Sequence, residues 1–389
     1  MIDLHGTFCY DGGIASRAGG TTAMQVILDY LNKTYAPHAV ILYGSYADGT
    51  QGEGSDFDAV VITDFPCPEH DHSVVGGVQL DVWPVGSDDI AGCDPADYTH
   101  LIDAKILLDR HGVAEELLRR VAAWDAAQPW PERADNEQNL AWCDKMLRRT
   151  ERGDAEGLYR LHWLLTDSLS IWCDAAHLRY RGPKKSLRTL MREDPAGYLL
   201  YREALASASL AEAAAWVDHL HRMFDGKQSV TFRVASKEDM RRIWQFNVDM
   251  HPGDARWAAW RERSLARHGS GDGVTFVCVV DEMPVGEVTL VISPAHEAIR
   301  GRTALADGKQ TGNVNALRIA KAYEGRGYAS EMFRLLTAYA KEHGMTRLTI
   351  GVEACEARNR AIYAHWGFDR FLMSETEDGE EVLYYAKDI

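Results

Sequence analysis

The sequence predicts an α+β multidomain chain: a small mixed-sheet domain at residues 1–110, a helical bundle at 111–226 and a C-terminal mixed α/β domain at 227–389. Three observations carry that expectation. Two short apolar runs, residues 40–43 and 59–62, flank a Gly/Ser-rich turn and read as buried strands. Strand signals then vanish across residues 111–226, where Ala, Leu, Arg and Glu are abundant. From Val230 onward strand and helix patterns alternate again, and Asp225-Gly226-Lys227-Gln228 reads as the linker between the two regimes. A chain of 389 residues is also too long for one ordinary domain.

Composition narrows the class. Hydrophobic content of 46% and charged content of 26% suit a soluble globular protein. No run of 18 apolar residues occurs, and the polar start Met1-Ile2-Asp3-Leu4-His5 lacks a secretory pattern, so a cytoplasmic protein with no membrane partner is expected. Cys9, Cys67, Cys93, Cys143, Cys173, Cys278 and Cys355 are odd in number and free of C-x-x-C spacing, which reads as reduced thiols without a disulfide framework or zinc site. The net charge of -16 is uneven: residues 1–110 hold 4 Lys+Arg against 17 Asp+Glu, whereas 111–226 hold 16 against 18 and 227–389 hold 22 against 23. Such an acidic first domain disfavours a polynucleotide partner and attracts a cationic small molecule.

Within the first domain, residues 22–34 place Met24, Ile27, Leu28 and Leu31 on one helical face, which should pack behind the first strand. The turn Gly44-Ser45-Tyr46-Ala47-Asp48-Gly49 leads on to Asp56-Phe57-Asp58. Residues i and i+2 of a strand share a face, so Asp56 and Asp58 present two carboxylates together beside a flexible backbone. That pairing suits a hard divalent cation and the phosphates of a nucleotide. A third strand, residues 78–83, alternates apolar and polar positions and offers Asp81 as another carboxylate. The intervening His70-x-His72 lies in a Pro-rich acidic stretch and reads as a solvated loop.

Gly-Ser, then Asp-x-Asp, then an Asp on a neighbouring strand resembles the DNA polymerase β-like nucleotidyltransferase superfamily. The form Gly44-Ser45-Tyr46-Ala47-x-Gly49-Thr50 with Ser55-Asp56-Phe57-Asp58 looks closest to its antibiotic adenylyltransferase and minimal nucleotidyltransferase branches. The resemblance implies that Asp56 and Asp58 bind Mg2+, that Asp81 is a third ligand or the base for the acceptor hydroxyl, and that Gly44 and Ser45 contact the triphosphate of ATP or another NTP. It also implies a following helical domain that completes the acceptor cleft.

In the helical part, Leu158, Leu161, Leu165 and Trp172 recur at helical spacing, as do Leu205, Leu210, Ala214 and Val217 less strictly; four to five helices with these residues in the core are expected. The basic turn Arg179-Tyr180-Arg181-Gly182-Pro183-Lys184-Lys185 is either a solvated helix connection or, through Lys184 and Lys185, a triphosphate contact for a first domain poor in cations.

The last part opens with a strand, residues 230–234, and a helix capped by Ser236 with Glu238 and Asp239 in its first turn. A hairpin (274–280 and 285–292), a strand (314–319), a helix to about His343, a strand (347–352), a helix (357–366) and terminal strands follow. A glycine-rich turn that opens a helix can hold a pyrophosphate on free N–H groups, and Gly325-Arg326-Gly327-Tyr328-Ala329 fits that need. Together with this strand order and Tyr363-Ala364-His365-Trp366-Gly367-Phe368, it resembles the GNAT superfamily of acetyl-CoA-dependent N-acetyltransferases over residues 229–389. The resemblance implies that Leu317 and Ile319 present backbone to pantetheine, that residues 325–330, from Gly325 to Ser330, hold the pyrophosphate, and that Tyr363 protonates the departing thiolate. Two positions depart from the family pattern: Glu324 opens the phosphate loop, and Glu356 stands where an Asn is often found. Glu287 and Glu353 are candidates for the base.

The combined expectation is a bifunctional enzyme that adenylylates a hydroxyl and N-acetylates an amine of a cationic small molecule, such as an aminoglycoside antibiotic. Two alternatives stay open: a protein- or tRNA-modifying system of toxin–antitoxin type, and a chain in which one domain is a degenerate nucleotide or CoA sensor.

Overall fold

The computed structural model describes residues 23–64, 70–377 and 379–389, which fall into two compact units divided between Trp130 and Pro131. The first unit contains α1 (Ala23–Tyr35), β1 (Ala39–Leu42), α2 (Gly44–Asp48), β2 (Phe57–Thr63), β3 (Val74–Val75), β4 (Val78–Gly86), α3 (Ser87–Gly92), β5 (Lys105–Asp109) and α4 (Val113–Ala127). Its sheet has the order β3-β4-β2-β1-β5, with β2 parallel to β4 and β1 antiparallel to both β2 and β5.

Strand alternation divides this sheet into two apolar faces. Val40, Leu42, Ala59, Val61 and Val82 pack with Ile27, Leu31 and Tyr35 of α1, as the spacing of the first helix predicts. Ala39, Ile41, Val60 and Ile62 face the other way and pack with Ile90 of α3 and with Ala114, Leu117 and Val121 of α4. The apolar side of α4 is therefore part of the first core, and this unit runs past the expected boundary at residue 110.

The second unit begins with α5 (Arg133–Thr150), α6 (Ala155–Ala175), α7 (Gly182–Glu193), α8 (Pro195–Ser207) and α9 (Leu210–Asp225). It continues through β6 (Val230–Val234), α10 (Lys237–Met250), α11 (Ala255–Arg267), β7 (Gly273–Val280), β8 (Met283–Val291), β9 (Thr311–Ile319), α12 (Tyr328–Glu342), β10 (Arg347–Glu353), α13 (Ala357–His365), β11 (Arg370–Glu377) and β12 (Glu380–Asp388). A seven-stranded sheet of order β11-β12-β10-β9-β8-β7-β6 forms its centre. Helix α11 has no counterpart in the sequence reading, because its inward stripe is thin: of its residues only Trp257 is buried.

The helices and this sheet share one core. Trp172, Trp216 and Leu220 belong to the same buried cluster as Phe276, Cys278, Leu290 and Met332. The stretch expected to be a linker is a helix stop and strand start: Gly226 takes a left-handed conformation (φ 66°) as the C-cap of α9, and β6 begins at Val230. Three residues assigned to the helical core are instead exposed, Leu158, Leu205 and Leu210, while Trp216 and Leu220 one face over are buried. Among the described residues no helix is long and apolar enough to cross a membrane, and Cys93, Cys143, Cys173, Cys278 and Cys355 are free thiols.

Candidate active sites

The first site forms where β1 ends and β2 begins. Past Tyr43 the chain turns at Gly44, whose φ of 67° is left-handed and favours glycine. A Cβ at this position would fall 2.2 Å from Asp58 Oδ2, so the backbone here lies directly against the Asp58 carboxylate. Ser45 is buried in the short helix α2, and its carbonyl accepts the Thr50 N–H at 2.9 Å. The returning loop is held by Gly52 N–H donating to Ser55 Oγ at 2.9 Å.

The chain then enters β2 through Asp56, and the parallel register pairs Asp58 with Asp81 of β4. Adjacent strands lie about 4.8 Å apart, so these two carboxylates rise side by side from one face, the face that also carries Val60 and Ile62. Tyr43 stands beside them: its N–H donates to the Asp58 carbonyl at 3.0 Å. Burial, with the Asp81 and Asp58 carboxylates adding to it, holds its phenol well above the ordinary tyrosine value.

Asp81 is also engaged from the side. His70 Nε2 lies 2.5 Å from Asp81 Oδ1, and Trp83 Nε1 donates to the same oxygen at 3.0 Å. The His70 and Trp83 rings stack at 3.9 Å, and His72 meets His70 edge-on at 3.6 Å. The adjacent Asp71 is buried, accepting from Tyr35 Oη at 2.7 Å, Tyr30 Oη at 3.1 Å and Ser73 N–H at 2.9 Å, while its backbone bridges Val82. The expected solvated loop is therefore packed at two of its three positions: His70 is half-buried against β4 and Asp71 is buried, while His72 is exposed, and His70 joins the candidate site as a residue that sequence reasoning missed.

Asp56, Asp58 and Asp81 offer an oxygen-only donor set, the type that hard cations such as Mg2+ take. Among the described residues no three His, Cys, Asp or Glu groups converge closely enough to hold an ion, and the Asp81 carboxylate meets His70 and Trp83. Lys184 and Lys185 lie in the first turn of α7, in the second unit, Lys184 exposed and Lys185 half-buried.

The second site lies where β9 and β10 part. They pair in parallel only from Thr311 opposite Arg347 to Val314 opposite Ile350, after which β10 continues with β12 alone. On its other side β9 keeps its pairing with β8 as far as Ile319, through a bulge at Ala316 (φ 49°). Among the described residues, then, the β10-facing edge of 315–319, which includes Leu317 and Ile319, has no strand partner, and its amide groups suit an extended chain that bears amides of its own.

Gly325 (φ 74°) and Gly327 (φ 80°) turn the chain into α12, whose first-turn N–H groups on Tyr328, Ala329 and Ser330 lie at the positive end of the helix. The Tyr328 ring packs between Tyr323 and Phe232, so this residue contributes backbone rather than side chain. Arg326 places its guanidinium 5.2 Å from the Tyr323 ring, and Glu324 pairs with Arg358 at 3.4 Å. On α13, Tyr363 is buried; that burial, with Glu356 nearby, raises its phenol above 10, so it stays protonated at neutral pH. Of the two candidate bases, Glu287 is fully buried and engaged by Arg318, whose Nε donates to it at 2.6 Å and whose guanidinium lies over Trp244. Glu353 is half-exposed at the end of β10, with the Cys355 thiol 3.7 Å from its Oε2.

Comparison with known families matches residues 24–119 to the nucleotidyltransferase domain and residues 237–368 to the acetyltransferase (GNAT) family. No curated protein matches the sequence. Solved structures similar to this chain include an IAA acetyltransferase from Bacillus cereus, 17% identical over 41% of this chain and 100% of its own, with a TM-score of 0.29. An N-acetyltransferase from Staphylococcus aureus is 19% identical over 41% of this chain and 98% of its own, with a TM-score of 0.31. The PaiA N-acetyltransferase from Thermoplasma acidophilum, solved in complex with coenzyme A, is 13% identical over 41% of this chain and 99% of its own, with a TM-score of 0.29. The chain thus joins a nucleotidyltransferase domain to a GNAT acetyltransferase domain in one transferase polypeptide.

Proposed function

We propose that this chain is a bifunctional antibiotic-modifying enzyme that adenylylates a hydroxyl and N-acetylates an amine of an aminoglycoside-like polycation, using ATP with Mg2+ at one site and acetyl-CoA at the other. The observation that carries the first activity is the parallel register setting Asp58 beside Asp81 against the bare backbone of Gly44. Asp56 and Asp58 would hold the cation, which supplies charge neutralisation at the triphosphate when bound. Asp81, oriented by His70 and Trp83, is the group nearest in register to accept the hydroxyl proton. The acidity of residues 1–110 supports a cationic acceptor, and the free thiols suit a reducing cytoplasm.

For acetyl transfer, the parted edge of β9 binds the pantetheine amides through Leu317 and Ile319, and residues 325–330 take the pyrophosphate on backbone N–H groups. Tyr363, kept protonated by burial, delivers its proton to the thiolate as the amine attacks the thioester carbonyl and the C–S bond breaks. With Glu287 tied to Arg318, the amine proton leaves to water or to Glu353. The test is a panel of aminoglycosides assayed with ATP and Mg2+ and, separately, with acetyl-CoA, on the wild type, the double variant Asp56→Asn/Asp58→Asn and Tyr363→Phe. Each variant should abolish one activity and spare the other; no turnover on any member of the panel overturns the reading.

A further inference from the structure

Strand β9 changes phase just before the edge expected to meet pantetheine. Thr289 of β8 stands opposite Asn315, but Glu287 stands opposite Arg318, so β9 carries one extra residue between them. Ala316, with its left-handed φ of 49°, takes up the difference. The two faces of the strand record the same shift. Val314 and Leu317, three residues apart, both pack in the cluster of Leu290 and Met332, on the α12 side. An unbroken strand would put them on opposite faces. Arg318 is thereby turned to the α10 side, where Val277, the β7 partner of Glu287, packs with Trp244.

Both sides hold the shifted phase. On the α10 side Arg318 Nε donates to Glu287 Oε1 at 2.6 Å, Nη2 pairs with the same oxygen, and the guanidinium lies 4.5 Å from the centre of the Trp244 ring. Both charged residues are buried, and among the described residues Glu287 is the one carboxylate that pairs with this arginine. On the α12 side Ile319 lies over Gly286: a Cβ there would fall 2.4 Å from Ile319 Cδ1 and 3.2 Å from Met332 Cε. Unbroken alternation through residue 318 would carry Arg318 into the apolar α12 side and leave two buried charges unpaired, which is costly. The Ala320 N–H donates to the Val285 carbonyl at 2.8 Å. Backbone groups alternate along a strand, so those of Ile319 point away from β8, to the open edge. The phase held by the ion pair therefore decides which amides that edge offers.

We propose that the buried Glu287–Arg318 pair is a phase lock on β9: by holding the bulge at Ala316 it aims the backbone of Ile319 at the pantetheine arm of acetyl-CoA, which makes Glu287 and Arg318 positioning residues for the cofactor. This rests on the acetyl-transfer reading. It gives Glu287 a task other than that of a base.

The test uses Glu287→Leu/Arg318→Met in the full-length chain, because apolar replacement of a whole buried ion pair is often neutral for stability, whereas removal of one partner is not. Calorimetric dissociation constants are measured for two probes: acetyl-CoA, and 3′-phospho-ADP, which keeps the adenosine and pyrophosphate and lacks the pantetheine arm. The double variant should bind acetyl-CoA about five- to tenfold more weakly, the equivalent of one hydrogen bond to the arm, and 3′-phospho-ADP within about twofold of wild type. Should that chain fail to fold, Glu287→Gln, which keeps the shape and removes the charge, is read in the same way. Where 3′-phospho-ADP binds too weakly to compare, the thermal midpoint takes its place: an unchanged midpoint with weakened acetyl-CoA binding upholds the lock, and a lowered one overturns it. Unchanged acetyl-CoA affinity, or equal weakening of both probes as general loosening would produce, overturns the proposal. A wild type that binds acetyl-CoA no more tightly than 3′-phospho-ADP also overturns it, because the edge then contributes nothing, whereas one that binds neither overturns the acetyl-transfer reading itself.

Discussion

His70 Nε2 lies 2.5 Å from Asp81 Oδ1, and this contact fixes the orientation of the carboxylate expected to complete the nucleotidyl-transfer centre. Trp83 donates to the same oxygen and stacks on the His70 ring, so three side chains form one connected cluster on β4. The segment that carries His70 is itself pinned by the buried Asp71. Groups that orient a metal ligand or base from behind commonly matter nearly as much as the ligand.

His70→Ala should therefore lower nucleotidyl transfer about ten- to hundredfold, as loss of such a partner does elsewhere. The measurement is NTP turnover across a Mg2+ titration. The fall should appear in turnover, in the Mg2+ concentration for half-maximal rate, or in both, with acetyl transfer untouched. Wild-type behaviour on both counts would remove His70 from the site.

Gly44→Ala should damage the same centre by a different route. The position has a left-handed φ, and the added methyl would collide with Asp58 Oδ2. Strain of this kind costs about 1–3 kcal/mol. A lowered unfolding midpoint of the first unit, together with a loss of NTP turnover near that of Asp58→Asn, is the expected result. Gly49→Ala is the control: its φ is also left-handed, but nothing lies within 4 Å of the would-be Cβ, so it should cost stability without the comparable loss of turnover.

The two sites differ in how much of each was legible from sequence. Asp56, Asp58 and Asp81 lie on or beside short apolar strands: period-two alternation put Asp56 and Asp58 on one face and offered Asp81 on a neighbouring strand, and the register pairs Asp58 with Asp81. The phosphate turn was equally local, two glycines entering a helix. His70 was not legible in that way, because its role depends on a backbone bridge between Asp71 and Val82 that no local pattern announces. Nor was the shared core of the second unit. A helical apolar stripe shows that Trp172 is buried, but not that Trp216 continues the same core into Phe276 and Leu290. A polar pattern such as Asp194, His219 and Asp281, spread over almost ninety residues of chain, carries no periodicity at all.

His219 predicts a distinct pH dependence of stability. Burial alone would lower its pKa, but Asp194 and Asp281 more than offset this and raise it to about 9, while Asp281 falls to about 2. Asp281 and Asp194 face the two ring nitrogens, Trp216 stacks on the ring, and Arg222 and Trp172 bond to the two carboxylates. With an unfolded value of about 6.5, the folded chain binds the extra proton between pH 6.5 and 9. The stabilisation is thus complete below about pH 6.5 and lost as pH rises through about 9, on the order of a few kcal/mol in all. Thermal midpoints of wild type and His219→Gln should converge over that interval; parallel curves would refute the assignment.

Tyr363→Phe should separate chemistry from binding at the acetyl-transfer site. The ring packs near Trp366 and its carbonyl accepts the Phe368 N–H, contacts that phenylalanine keeps. What is lost is the proton for the leaving thiolate, and general-acid contributions of this type amount to about 10²–10⁴ in rate. The expected outcome is a fall in kcat of that order with KM for acetyl-CoA little changed. Because burial and Glu356 raise the Tyr363 phenol above its usual value, the wild-type rate should show no decline from its ionisation up to pH 10. A decline below pH 10 that disappears in Tyr363→Phe would place its pKa in the wrong direction, and an unchanged kcat would take Tyr363 out of the reaction.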